Sequence, residues 1–261
     1  MSASPTILLI GASRGLGHAM AAEFLEKGWN VVGTVRGESR TLLHDLADKY
    51  TGRVEIETLD ICEPDQIKAL DNRLSVSGKT FDLLFVNAGT TNRDPTQNIG
   101  DVSTEDFIHV MVTNSLSPMR VVESLAHHVT PKGLIGVMSS GQGSISNNET
   151  GLREVYRGTK AALNMFMRSF AARQDPSRPM VVMAPGWVKT ELGGPDARLT
   201  IEESIPSLND PDLNTLITWV ELCLGECFPN SLGVLPDIPN RANPTNTCLD
   251  NDFITNLAPF L

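Results

Sequence analysis

The chain has 261 residues, 41% of them hydrophobic, and a formal net charge of −10. That length can bury a full core and suits one large α/β domain. The acidic balance disfavours nucleic acid or an anionic membrane as partner, and no apolar run reaches membrane-spanning length. The first residues, Met1 to Pro5, lack a basic stretch, and the apolar run after them is cut at Gly11, so a signal peptide is not expected. The cysteines are Cys62, Cys223, Cys227 and Cys248, too few for a disulfide framework. No histidine follows Cys227 at zinc-binding spacing. These features point to a reducing, cytoplasmic compartment.

Thr6 to Ile10 reads as a short strand and passes into Gly11-Ala12-Ser13-Arg14-Gly15-Leu16-Gly17, after which Met20, Phe24 and Leu25 recur at helical spacing. Strand, glycine turn and helix in this order suit a dinucleotide. The glycines allow close approach, and the helix start offers free N–H groups to a phosphate. The spacing is G-x-x-x-G-x-G rather than the commoner G-x-G-x-x-G. Val31 to Val35 predicts a second strand. An acid at its tip would accept from the ribose hydroxyls of NAD, but here Val35 is followed by Arg36. Arg36 and Arg14 are placed to hold a 2′-phosphate, which favours NADP(H).

Arg40 to Tyr50 has a helical pattern, and Val54 to Leu59 predicts a strand ending at Asp60. That carboxylate either reaches a ligand in the crevice or caps the helix that follows Glu63. Phe81 to Val86 predicts a fourth strand, running into Asn87-Ala88-Gly89, small enough to admit a ring nearby. Thr104 to His128 is a long helical pattern with Asn114 inside it, a residue that disfavours helix and is apt to bend it or bind water. His18, His44, His109, His127 and His128 show no hydrolase arrangement and are expected on helix surfaces.

Gly133 to Met138 predicts a buried strand that delivers Ser140 at its mouth. Tyr156 and Lys160 stand four apart at the start of the next helix, hence on one face of it. A phenol ionises at about pH 10, and an ammonium one turn away favours the phenolate and lowers that value. With a serine hydroxyl to hold a carbonyl oxygen, the set can donate a proton to a carbonyl under reduction. Met180 to Ala184 predicts a sixth strand, ending in Pro185-Gly186-Trp187-Val188-Lys189-Thr190. Glu191 to Asn209 reads as a mobile loop with a short helix. Strands alternating with helices imply a parallel sheet covered on both faces: a single-domain, Rossmann-like α/β fold.

In register along residues 6 to about 205, Gly11-x-x-x-Gly15-x-Gly17, Asp60, Asn87-Ala88-Gly89, Asn114, Ser140, Tyr156-x-x-x-Lys160 and Pro185-Gly186 resemble the classical short-chain dehydrogenase/reductase family. The 16-residue step from Ser140 to Tyr156 and the stretches Pro185 to Pro195 and Leu199 to Ser204 resemble its sniffer and C-factor branch of carbonyl reductases. The resemblance implies Tyr156 as proton donor, Lys160 as its modulator and a ligand of the nicotinamide ribose, and Ser140 as holder of the substrate carbonyl. It implies a water at Asn114 that passes protons to Lys160, and Pro185 to Thr190 around the carboxamide. The implied cofactor contacts are Gly11, Ser13, Arg14, Gly15, Leu16, Gly17, Arg36, Asp60, Ile61, Asn87, Ala88, Gly89, Tyr156, Lys160, Pro185, Gly186, Val188 and Thr190. It further implies a homodimer or homotetramer built on the helices around 104–128 and 154–174.

The C-terminal part departs from the family. From Thr200 onward there are nine acidic residues, one basic residue and seven of the 16 prolines. Asp212 to Leu224 and Leu232 to Leu235 are candidates for a last helix and strand, and the tail reads as an extension. The expected organisation is a reductase domain over 1–236 and an extension over 237–261 that supplies no cofactor ligand. The expected function is NADPH-dependent reduction of a ketone or aldehyde. The alternatives are a nucleotide-binding signalling protein of C-factor type and, less well matched, a sugar-nucleotide epimerase or dehydratase.

Overall fold

Six short apolar runs form the strands of one sheet: β1 (Thr6–Ile10), β2 (Asn30–Val35), β3 (Val54–Thr58), β4 (Phe81–Val86), β5 (Val129–Met138) and β6 (Met180–Met183). All neighbours are parallel, in the order β3-β2-β1-β4-β5-β6. The computed structural model describes residues 4–175 and 178–205. The candidate last helix at 212–224, the candidate last strand at 232–235, the extension over 237–261 and Cys223, Cys227 and Cys248 lie outside the described residues.

Ile7 to Ile10 of the central β1 are fully buried because helices cover both faces of the sheet. On one face Ile7 and Leu9 meet Met20, Phe24 and Leu25 of α1 (Gly15–Glu26) and Leu43 and Leu46 of α2 (Leu42–Lys49). On the other, Leu8 and Ile10 belong with Leu70 of α3 (Pro64–Ser77), and with Val121 of α5 (Ser117–Leu125) and Leu163 of α6 (Glu154–Ala171). Each such side chain contributes about 1.5–3 kcal/mol by leaving water. Among the described residues, no helix is long and apolar enough to cross a membrane.

The long helical pattern at 104–128 is not one helix. It is α4 (Thr104–Met111), a π turn over Val112–Leu116, then α5, then a 3₁₀ turn over Ala126–His128. Ser103 starts it by accepting from the Asp106 amide at 3.1 Å. The break has a covalent cause. Pro118 has no N–H, so the carbonyl of Asn114 loses its α-helical donor four residues on. A short α7 (Ile201–Ser204) follows β6, capped by Thr200 and Glu203.

Candidate active site

Parallel strands bring their C-terminal ends to one edge of the sheet. The strand order reverses between β1 and β4, and that opens a crevice there. The glycine turn leaves β1 into it. Gly11 has φ +86, a conformation that favours glycine. Its amide donates to Thr34 Oγ1 at 2.9 Å, and its carbonyl accepts from Asn87 Nδ2 at 2.9 Å. A Cβ on Gly17 would stand 2.0 Å from the Gly11 carbonyl oxygen, so only glycine lets the helix start this close to the turn. Arg14, at the N-cap of α1, makes no side-chain cap bond, and the first turn of α1 carries no acid. These N–H groups and the positive helix end suit a phosphate.

Beside the turn lies a cavity of about 870 Å³ lined by Ser13, Arg14, Arg36, Gly37, Arg40, Thr41, Leu42, Asp45 and Asp60. It fits the adenosine end of a phosphorylated dinucleotide: three arginines reach it, and the tip of β2 presents Val35 and no acid. Two of the three are tied to carboxylates. Arg40 bonds Asp45 and Asp48, and Arg14 Nη1 pairs with Glu191 Oε2 at 2.8 Å. Asp60 lines the cavity while its Oδ1 accepts from the Cys62 amide at 2.9 Å; it braces its own turn, and Glu63 is the N-cap of α3. Ile61 is buried behind it.

At the β4 end, Asn87 and Ala88 donate their amides to the Ile10 carbonyl at 2.9 and 3.2 Å, which binds this turn to the glycine turn. Gly89 sits where a Cβ would lie 3.4 Å from Asn114 Oδ1 and 3.7 Å from Lys160 Nζ. Asn114 is fully buried. Its oxygen accepts from the Thr90 amide at 2.8 Å, and its amide group donates to the Thr90 carbonyl at 2.9 Å and to Thr159 Oγ1 at 3.1 Å. Both amide hydrogens are thus used within the protein. A water here would find the Oδ1 lone pair or the carbonyl that Pro118 leaves without its helical donor.

Ser140, Tyr156 and Lys160 come together beside these groups. Ser140 follows β5; its Oγ accepts from the Gln142 amide at 3.1 Å and hydrogen-bonds the Tyr156 hydroxyl. Lys160 is 3% exposed, and its Nζ donates to the Met138 carbonyl at 2.8 Å and lies 5.6 Å from the Tyr156 ring centre. Burial pulls the Lys160 pKa down to about 8. The Tyr156 phenol departs from the expectation that a neighbouring ammonium lowers it. Burial pushes it up, against smaller downward pulls from the Ser140 hydrogen bond and the charge of Arg153. The physical reason is that the phenol is withdrawn from water, which disfavours the charged phenolate by more than its neighbours favour it.

Arg153 was not legible as a site residue. It and Leu152 hold φ +56 and +53, the two non-glycine residues with left-handed backbone among those described. The Arg153 amide donates to the Pro95 carbonyl at 3.0 Å, and Arg157 Nε donates to the Gly151 and Leu152 carbonyls at 3.0 and 2.9 Å. The segment before α6 is therefore pinned, and its spacing of three from Tyr156 was the available signal.

On the β6 side, Gly186 has φ +81 and Leu199 against it. The Pro185 carbonyl accepts from Ser204 Oγ at 2.8 Å, and Val188 bridges Leu199. Thr190 Oγ1 accepts from the Gly193 amide at 3.0 Å, and its methyl would stand 3.8 Å from a Cβ on Gly15. The Thr190–Glu191 end of this stretch therefore lies against the glycine turn.

Residues 5–198 match the model of the short chain dehydrogenase family. The chain belongs to the short-chain dehydrogenase/reductase family. The fold of a short-chain dehydrogenase/reductase from Burkholderia multivorans, solved with bound NADP, superposes with a TM-score of 0.77 at 68% identity, over 80% of this chain and 90% of that one. The carbonyl reductase Sniffer of D. melanogaster superposes with a TM-score of 0.72 at 26% identity, over 79% and 91%. An NADPH-dependent pterin aldehyde reductase of Arabidopsis thaliana is 30% identical over 193 residues, 73% of this chain and 77% of that protein. The family and the sniffer-like branch expected from the motifs are thus both met.

Proposed function

We propose that the protein is an NADPH-dependent reductase that converts a ketone or aldehyde carbonyl to an alcohol, with Tyr156 as general acid. One observation carries this reading: Ser140, Tyr156 and Lys160 converge at the β4–β5 edge of the crevice that the glycine turn opens. When bound, NADPH supplies the hydride. Gly11 to Gly17, Arg14 and Arg36 hold the phosphate-bearing half; Asn87 to Gly89, Pro185, Gly186, Val188 and Thr190 enclose the nicotinamide half. The Ser140 hydroxyl donates to the substrate carbonyl oxygen. Tyr156 delivers its proton to that oxygen as charge develops on it. The charge of Lys160 steadies the phenolate left behind, and Asn114 fixes Thr90 and Thr159 around it. The arginine-lined pocket and the bound NADP of the B. multivorans relative support the cofactor assignment.

The working unit in this reading is a cytoplasmic homodimer or homotetramer. Phe107 and Ile108 on α4 and Met165 and Phe166 on α6 leave large apolar side chains exposed on packed neighbouring helices, which supports an interface there. Residues 1–236 form the reductase domain, and 237–261 are an added segment that contributes no cofactor ligand.

The test is loss of NADPH absorbance with a panel of aldehydes and ketones, followed by analysis of the alcohol product. Turnover above the buffer rate with at least one carbonyl, and none for Tyr156→Phe, is the expected result. Tight NADPH binding with no turnover across the panel would instead favour the regulatory reading.

A further inference from the structure

At the opposite edge of the sheet, before β5 begins, the 3₁₀ turn after α5 presents His127 and His128 to Asp71 of α3. His128 Nε2 lies 2.8 Å and His127 Nε2 3.2 Å from the same Asp71 Oδ1, and the two rings are tilted by 39° with centres 3.9 Å apart. His128 was expected on a helix surface with the other histidines; it is 5% exposed. Its bond to Asp71 explains that burial, since a buried imidazole needs a partner. It does not explain His127. That side chain is 57% exposed and can hydrogen-bond water, yet it turns its Nε2 to an oxygen already occupied by its neighbour.

We propose that Asp71, His127 and His128 form a binding site for a divalent transition-metal ion, independent of the reductase centre. The three donor atoms lie within 4.8 Å of one another. With metal–ligand bonds of about 2.1 Å, the two separations of 2.8 and 3.2 Å subtend about 84° and about 99° at a common ion. Tetrahedral zinc prefers donors about 3.4 Å apart at that bond length. Near-right angles suit the tetragonal or octahedral coordination of Ni²⁺ or Cu²⁺, with imidazole and carboxylate as appropriate ligands. With the ion bound, each histidine carries its proton on Nδ1, and its Nε2 lone pair meets the ion in place of the N–H that faces Asp71 here. The exposed side of His127 gives the ion its entry and leaves the remaining positions to water. Asp71 comes from one helix and the histidines from the turn between another helix and its strand, so the ion would tie α3 to the α5–β5 connection.

The test uses full-length, metal-free protein without a histidine tag. Ni²⁺ alone is titrated by calorimetry into the parent, His127→Ala and Asp71→Asn, and Cu²⁺ alone is added for electron paramagnetic resonance. His127 is chosen because its exposure spares the fold; circular dichroism and unchanged NADPH turnover check that. The parent should take up one equivalent, and each variant should bind about tenfold or more weakly, since even supporting partners of a ligand are worth that much. The Cu²⁺ spectrum of the parent should show coupling to two nitrogens, and that of His127→Ala to one. Cysteine or terminal-amine binding would be equal in all three proteins. Equal affinity of folded His127→Ala and parent, or no uptake by the parent, overturns the site.

Discussion

The two halves of the crevice solve electrostatics in opposite ways. On the β4–β5 side the decisive polar groups are withdrawn from water and hydrogen-bonded: Asn114 is fully buried with three bonds, and Lys160 is 3% exposed and bonded to a carbonyl. On the β1–β2 side the charges are wet: the side chains of Arg14 and Arg40 are 62% and 60% exposed. A charge in a low-dielectric pocket acts strongly on its neighbour, whereas an exposed one is screened by water and salt. In the proposed reading, chemistry therefore belongs to the dry half and cofactor choice to the wet half. Substitutions in the first should change rates by orders of magnitude at any salt concentration. Those in the second should change affinity modestly and fade as salt rises.

The largest effect should come from Tyr156→Phe, which removes the proposed acid and keeps the ring. Positioned general acids contribute roughly 10²–10⁴ in rate. Turnover should fall by at least the lower figure, while NADPH affinity, measured by fluorescence titration, stays within a few-fold. A parent-like rate would remove Tyr156 from the chemistry.

Next comes Val35→Asp with Arg36→Ala, which sets a carboxylate where the 2′-phosphate is expected and deletes a cation. From the residues alone, two arginines suggest roughly 30- to 1,000-fold preference for NADPH. The structure lowers that figure, because Arg14 is exposed and engaged by Glu191. About 10- to 100-fold at low salt is expected for the parent, shrinking with added salt. The double variant should prefer NADH, an attraction having been removed and a repulsion added. Equal parent affinity for both cofactors at low salt would locate the specificity elsewhere.

The dry half makes a pH prediction with a definite sign. Lys160 carries its charge below about 8 and loses it as pH rises through that value. Tyr156 is raised above its ordinary value by burial, so it stays protonated across the same window. Reduction should therefore hold steady below about pH 8 and decline above it, by up to about tenfold per pH unit for loss of a single proton. The profile is taken as kcat/KM for NADPH, which reports the free enzyme. A limb that appears only above the ordinary tyrosine range would assign it to Tyr156 instead.

What was legible in the sequence follows the same division into local and distant causes. The strands, the glycine turn and the Tyr156–Lys160 face are local patterns, and the chain folds as they indicate. Asn114 marked a bend, and Pro118, four residues on, held the reason: a missing N–H that opens the helix into a π turn. The partners were harder to see. Lys160 bonds a backbone carbonyl at Met138, and every residue offers the same carbonyl, so no side chain marks the partner. Arg14 meets Glu191 only because the loop after β6 folds over the glycine turn. Hydrophobic periodicity tells which face of an element is covered, and carries no record of which loop covers it.

That loop supplies the smallest expected effect and the finest test of the wet half. Glu191 and Arg14 are both largely exposed, so their pair is worth at most about 1 kcal/mol, or about fivefold in an equilibrium constant. If the 2′-phosphate draws on Arg14, it must compete with Glu191 for the guanidinium. Glu191→Gln keeps the side-chain shape and removes the competing charge. NADPH should then bind about two- to fivefold more tightly at low salt. NADH, which has no 2′-phosphate, should be unaffected, and the gain should vanish in high salt where the original pair is already screened. A gain for both cofactors would mean that Glu191 acts on the diphosphate or through the loop as a whole. No gain for either would mean that Arg14 makes no contribution to cofactor choice, leaving Arg36 and Arg40 as the cations that read the phosphate.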